Sequence, residues 1–189
     1  MGEGGCKYIS FLTLRQNKPM DFKHYIRDIQ DFPEPGVIFK DISPLLSDAA
    51  AFRRATEAIL DMIEDDAIDK VVGIESRGFF FAPLLASKLH AGFVPVRKFG
   101  KLPADKISKT YSLEYGSDTL EIHSDSIQKG DRVLIHDDVL ATGGTAKATC
   151  ELVESLGGTV VQCNFLLEIE FLKGAEKLDG YQLRSLVRY

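Results

Sequence analysis

One unit, residues 132–156, restricts the fold more than any other feature of this chain. An apolar strand, Arg132 to Val139, runs into a loop of acids, threonines and glycines, and then into a helix, Ala146 to Leu156. The helix stops at Gly157-Gly158, a favoured C-terminal signal. A second long strand follows, Thr159 to Glu168. Strand, helix and strand in this order predict a parallel pair joined by a right-handed crossover. The alternation recurs upstream: Lys70 to Ile74 reads as a strand, Phe79 to Leu89 as a very apolar helix, and Phe93 to Lys98 as a strand. The expectation is an α/β domain whose mainly parallel, twisted sheet is flanked by helices. Ligands of such sheets sit at the carboxyl ends of the strands. The loops at 75–78 and 137–145 therefore carry the first candidates for function.

The remaining segments are less regular. Residues 1–19 read as a poorly constrained leader, with Met20 a candidate alternative start, and residues 20–189 as a single domain. His24 to Ile29 is a short helical start. Phe32-Pro-Glu-Pro-Gly36 forces a turn, and Val37-Ile-Phe39 is a brief apolar run, so residues 20–45 are expected to form a small hood. Ser47 to Glu64 reads as an amphipathic helix with Ser47 as its N-cap and Phe52, Ala55, Ile59 and Ile63 on its buried face. Gly100 to Asp118 is polar and weakly periodic, which fits either a mobile lid loop or an exposed hairpin. Thr119 to His123 follows as a strand.

Composition excludes several functions. With 44% hydrophobic residues the chain can build a core. A net charge of −5 with scattered Lys and Arg argues against nucleic acid as the main partner. No apolar run approaches the roughly 18 residues of a membrane span, so no membrane partner is expected. Cys6, Cys150 and Cys163 lack metal-site spacing, and so few cysteines fit a reducing, cytoplasmic location. Histidines 24, 90, 123 and 136 show no ligand pairing. His136 is odd only in interrupting an apolar strand, where packing is its expected role.

The loop from Asp137 to Thr145 has the chemistry of an anion cradle. Gly143 and Gly144 let main-chain N–H groups approach an anion closely, and the following helix adds its positive end. Thr142 and Thr145 can donate hydroxyl hydrogen bonds. Phosphate alone does not call for Asp137 and Asp138. They make sense if the ligand also carries ribose hydroxyls or a divalent cation. Because they alternate along the strand, they are expected to face different ways, one toward sugar and the other toward the loop or a hydrated metal. Glu75-Ser76-Arg77-Gly78 ends one strand and opens a helix, a second anion site with Arg77 as a fixed donor. Arg97, Lys98 and Lys101 cluster at the end of a third strand.

The string Asp137-Asp138-Val-Leu-Ala141-Thr142-Gly143-Gly144-Thr145 resembles the phosphoribosyl-pyrophosphate motif of type I phosphoribosyltransferases. The chain is most similar to the adenine-using branch of that family. The likeness runs from about Phe32 to Leu178 and includes Phe39-x-Asp41-Ile-Ser-Pro44, Glu75-Ser76-Arg77-Gly78-Phe79, Arg97-Lys98-x-Gly100-Lys101-Leu-Pro103 and Tyr111-Ser-Leu-Glu114-Tyr115-Gly116.

The resemblance implies an enzyme of purine salvage that transfers the phosphoribosyl group of 5-phosphoribosyl 1-pyrophosphate to adenine, giving AMP and pyrophosphate. It implies Mg2+ carried by the substrate's pyrophosphate and water, with Asp137 or Asp138 as indirect partners, and it implies a homodimer. It assigns the sugar phosphate to Asp137, Asp138, Ala141, Thr142, Gly143, Gly144 and Thr145. It assigns pyrophosphate to Glu75, Ser76, Arg77, Arg97, Lys98 and Lys101, with a cis bond between Glu75 and Ser76. Glu114 and Arg77 take the catalytic roles and Tyr115 covers the site from a lid at about 100–118. Adenine falls to Ile38, Phe39, Lys40 and Ile169. Phe39 can stack on a purine ring, and exposed main chain at Ile38 and Lys40 can read its edge. Two departures stand out: relatives usually carry arginine at Lys40 and often a base at Phe99. The rival readings are transfer to another base, such as hypoxanthine, guanine or xanthine, and a non-catalytic nucleotide-binding regulator on the same fold.

Overall fold

The computed structural model describes residues 20–64, 67–112 and 116–189. Seven strands form one sheet in the order β5-β6-β4-β3-β7-β8-β9. The strands are β3 (Lys70–Ile74), β4 (Gly92–Lys98), β5 (Lys106–Ser112), β6 (Ser117–His123), β7 (Arg132–Leu140), β8 (Thr159–Glu168) and β9 (Leu183–Arg188). The run β4-β3-β7-β8-β9 is parallel, and β6 and β5 join its edge antiparallel. The expected mainly parallel α/β sheet is therefore present.

Each face of the sheet has its own core. Helix α4 (Gly144–Ser155) covers one face through Ala148, Leu152 and Val153 against Val133, Ile135 and Phe165. On the other face α2 (Ala49–Asp61) and α3 (Ala82–Leu89) bury Ala55, Ile59 and Leu85 against Val71, Leu134 and Leu166. Adjacent residues of β7 thus serve opposite cores, as a period of two requires. Burying a side chain such as Leu134 or Phe165 stabilises the fold by roughly 1.5–3 kcal/mol.

The N-terminal elements differ from expectation. Residues Phe22–Tyr25 form a 3₁₀ turn, and the chain then extends as β1 (Arg27–Gln30), not as a helix through Ile29. Asp21 caps that turn, and the chain leaves it extended at Ile26. Strand β1 pairs antiparallel with β2 (Ile38–Asp41) in a separate two-stranded sheet. Pro44 stands in the first turn of a short helix, α1 (Ser43–Ser47). The N-cap of α2 is Asp48, whose carboxylate accepts from Ala50 and Ala51 N–H at 2.9 and 2.8 Å; Ser47 instead ends α1. A 3₁₀ turn at Arg77–Phe80 likewise precedes α3, which starts at Ala82 rather than Phe79.

Of the two readings for residues 100–118, the described part is a hairpin: β5 pairs with β6 from Lys106↔His123 to Ser112↔Ser117. Strand β9 was not foreseen. It is a mostly half-buried edge strand, too evenly mixed in polarity to announce itself.

Candidate active site

The carboxyl ends of β3, β4 and β7 open on a cleft of about 380 Å³. Its lining combines Glu75, Ser76 and Arg77 with Asp137, Asp138 and Thr145, and Lys98, Tyr111, Asp118 and Leu120 close it from the β4–β6 side. A second cleft of about 400 Å³, at Ala104, Asp105, His123, Ser124 and Asp125, contains none of the candidate residues.

Both aspartates line the first cleft, with Arg77, contrary to the expectation that they face apart. The Asp137 carboxylate folds back to accept the N–H of Asp138 at 2.9 Å, which brings it beside its neighbour. Asp138 is buried, and its carboxylate meets the Arg77 guanidinium Nε at 3.1 Å. Burial pushes the Asp137 carboxyl well up from the ordinary range, and the charge of Asp138 beside it adds to the rise. Burial also raises Asp138, against the opposing pull of Arg77. Two acids share one low-dielectric floor with one cation, an arrangement that suits a ligand bringing hydroxyl donors.

The loop after β7 is held from below. Gly143 is left-handed at φ +77°, and a side chain there would overlap the carbonyl oxygen of Gly174. Gly174 in turn lies so close that an added Cβ would come within 2.9 Å of the Gly143 nitrogen. Two glycines from distant segments therefore pack backbone on backbone, which no other residue permits. The first intrahelical bond of α4 runs from Lys147 N–H to Gly143 O at 3.0 Å. The amides before it start the helix without carbonyl partners within it, as an anion site needs. Thr145 Oγ donates to the Tyr111 hydroxyl at 3.1 Å, tying this loop to the hairpin.

The basic cluster is already engaged. The nearly buried Glu75 carboxylate accepts from Arg97 Nε and Nη2 at 3.2 and 3.1 Å, Lys98 N–H at 3.1 Å and Lys101 Nζ at 3.1 Å. Burial works to raise the Glu75 carboxyl, but these donors hold it below the usual value. Lys98 lines the cleft and pairs with Asp118 at 3.2 Å, while Arg97 and Lys101 turn toward Glu75. Phe99 is 72% exposed. The Glu75–Ser76 peptide is cis.

The hood supplies Phe39. Its ring packs edge-on against Phe32 at 5.2 Å, and the Arg77 guanidinium lies 5.0 Å from its centroid. Arg77 thus links the hood ring to the buried acid of β7. Ile38 is half exposed, and among the described strands β2 pairs only with β1. Ile169 is buried directly after β8. Lys40 points elsewhere, to Asp28 at 2.7 Å and to the Tyr189 ring. Glu114 and Tyr115 lie outside the described residues.

Sequence reasoning missed Asp118, Tyr111 and Gly174. Asp118 and Tyr111 sit in the ambiguous segment and reach the cleft only through hairpin pairing. Gly174 opens a 3₁₀ turn, Gly174–Leu178, and its role exists only in three dimensions.

His136 lies under this floor, buried, with Nδ1 hydrogen-bonded to the Asn164 amide oxygen and the Phe81 ring 5.9 Å away. Burial lowers its pKa to about 4, so it is a neutral packing residue at physiological pH.

Residues 42–182 match the phosphoribosyl transferase domain family. An adenine phosphoribosyltransferase from Christiangramia forsetii is 61% identical over 170 residues, covering 90% of this chain and 99% of the relative. The crystal structure of an adenine phosphoribosyltransferase from Thermoanaerobacter pseudethanolicus superposes with a TM-score of 0.87 at 52% identity, over 89% of this chain and 98% of that one. The Saccharomyces cerevisiae enzyme, solved with an imino-altritol bisphosphate and adenine, has a TM-score of 0.81 at 41% identity, over 87% and 96% of the two chains.

Proposed function

The chain belongs to the phosphoribosyl transferase domain family, as an adenine phosphoribosyltransferase that forms AMP from adenine and 5-phosphoribosyl 1-pyrophosphate, and from that premise we propose that the cleft between Arg77 and Thr145 is where it acts. The observation that carries this reading is the convergence of two adjacent acids, Arg77 and the start of a helix on one cleft at the carboxyl edge of the sheet.

In this reading the 5′-phosphate rests on the amides and hydroxyls of residues 141–145. Asp137 and Asp138 accept from the ribose hydroxyls, and their remaining charge favours the cationic sugar of the transition state, as carboxylates do in glycoside chemistry. Residues 75–77 and Lys98 hold the pyrophosphate. Arg97 and Lys101, clamped by Glu75, brace that wall. Adenine stacks on Phe39 with Ile169 behind it, and the open main chain of β2 reads its edge. The bond from the anomeric carbon to a pyrophosphate oxygen breaks as a purine nitrogen attacks. By resemblance the Glu114 carboxyl exchanges the proton at the purine's other ring nitrogen, and Tyr115 shields the reactants from water.

Among the described residues no group of three or more His, Cys, Asp or Glu side chains could hold a metal ion by itself. In this reading Mg2+ arrives on pyrophosphate, and Asp137 or Asp138, which line the same cleft, would hold it through water. Bound there it would neutralise charge on the leaving group.

The homodimer belongs to the same proposal. Phe80, Leu84 and Phe93, on or beside α3 and β4, are 43%, 39% and 36% exposed, apolar surface of the kind a second copy covers. No helix of the described residues is long and apolar enough to cross a membrane. Buried Cys150 and Cys163, both free thiols, support a cytoplasmic location.

The test is a steady-state comparison of Asp137→Asn and Thr145→Val with the unsubstituted enzyme, over adenine, hypoxanthine, guanine and uracil. The reading expects kcat/KM for the sugar substrate to fall at least about tenfold while adenine preference stays. Unchanged sugar kinetics in both variants would place the phosphate elsewhere.

A further inference from the structure

We propose that Tyr189 is a positioning residue for adenine, setting the gap between the two walls of the base pocket. This rests on the assignment of Phe39 and Ile169 to that pocket. Tyr189 follows β9, beyond the stretch that carries the family motifs. Its main chain clips onto the Ile169 wall from both sides. Its N–H donates to Glu168 O at 3.0 Å, and its own carbonyl accepts the Glu170 N–H at 2.9 Å. Ile169 is thereby bracketed by two hydrogen bonds to one residue.

The ring of Tyr189 reaches the other wall. Lys40 Nζ lies 3.8 Å from its centroid and Lys23 Nζ 4.8 Å. Lys40 is also the cross-strand partner of Asp28, and their side chains pair at 2.7 Å. Only 13% of the Lys40 side chain is exposed, so its ammonium is held over the ring from two directions. Residues alternate along β2, so anchoring Lys40 on the outer side directs the neighbouring Phe39 toward Arg77 and the cleft. One residue, through its ring and its main-chain N–H and C=O, thus couples β2 to the end of β8 across a two-stranded sheet that has no strand pairing to the main sheet. Lys40 therefore serves the pocket from behind and needs no contact with the base.

The experiment measures kcat and both KM values for Tyr189→Ala, Tyr189→Phe, Lys40→Met and Phe39→Ala, with Tm for each. Losing the cation–ring contact is expected to raise KM for adenine about fivefold or more in Tyr189→Ala and Lys40→Met. KM for the pyrophosphorylated sugar stays within about twofold, and Tyr189→Phe, which keeps the ring, restores adenine KM. Adenine KM unchanged in both variants overturns the proposal. So does a parallel rise of both KM values with a lowered Tm, which marks a purely structural role. If Tyr189→Ala does not fold, Lys40→Met reads the same split. Phe39→Ala separates the two levels: raised adenine KM there with no effect at Tyr189 and Lys40 removes this inference alone, while no effect at Phe39 removes the pocket assignment and this inference with it.

Discussion

Substituting Gly174 by Ala tests whether the phosphate loop is held by backbone packing. Gly174 does not carry a positive φ, so alanine meets no conformational penalty there and the effect is steric. The added Cβ would overlap the Ala141 carbonyl oxygen and come within 2.9 Å of Gly143 N and 3.0 Å of the Ala141 carbonyl carbon. All three are main-chain atoms, so no flexible side chain can swing away. Forcing one carbon into such a contact costs about 1–3 kcal/mol. The loop at Ala141–Gly143 is the part free to move, because β7 below it is fixed by parallel pairing on both sides. If the whole cost falls on the binding arrangement, affinity for the sugar phosphate drops by a factor of about 5 to 150. Any share borne by the free protein lowers Tm by about 2–4 °C per kcal/mol at this chain length. Initial rates at varied sugar concentration, with AMP binding by calorimetry, read the first quantity, and thermal unfolding reads the second. The expected result is a KM for the sugar raised at least about fivefold with adenine KM within about twofold. Unchanged Tm, AMP affinity and KM in this variant would mean that Gly174 does not hold the loop.

Other perturbations follow from the same geometry. Asp138→Asn leaves the Arg77 guanidinium without its buried charge. Since Arg77 is about a third open to solvent, the loss is discounted to about 1–3 kcal/mol, checked by urea unfolding. Asp41 is held at about 2 by the Ser43 hydroxyl, then the Ser43 N–H and Arg27. Its folded pKa is depressed, so its contribution is full above about 4 and lost as pH falls toward about 2. Asp41→Asn should therefore lower Tm at pH 7, and the difference from the unsubstituted enzyme should shrink as pH falls below about 4 and vanish only below about 2. The His136 ring resonances should stay those of a neutral imidazole down to about pH 5 by NMR, since its pKa is near 4. Titration near 6.5 would mean that water reaches it. Glu114→Gln should cut turnover sharply while AMP binding is largely kept, as measured by single-turnover rates and calorimetry.

The parallel core was legible because its strands are continuous apolar runs buried on both faces. Thr159 to Glu168 matches β8 residue for residue, and Lys70 to Ile74 matches β3. The cradle was legible because its glycines, threonines and acids are local in sequence. What stayed hidden depends on contacts between distant segments. Gly174 has no meaning until it lies under Gly143, and Tyr189 none until Lys40 lies over it. Asp137 and Asp138 were misjudged because strand alternation weakens where a carboxylate caps the next amide. The basic cluster at Arg97, Lys98 and Lys101 is legible as a run of charge, but its protein partner is not. Its partner, Glu75, lies 22 residues from Arg97 and comes within reach only because β3 and β4 are neighbours. The helix expected at His24 to Ile29 failed for a smaller reason, a capped 3₁₀ turn followed by a strand that, among the described residues, pairs with β2 alone.

Residues 141–145 are expected to grip the sugar phosphate while Asp137 and Asp138 hold the ribose. A crystal structure with bound AMP tests this most directly. The phosphate is expected within hydrogen-bond distance of the main-chain nitrogens of residues 142–145, with at least one of the two aspartates on the ribose hydroxyls. A phosphate bound away from that loop, with the ribose turned from both acids, would contradict it.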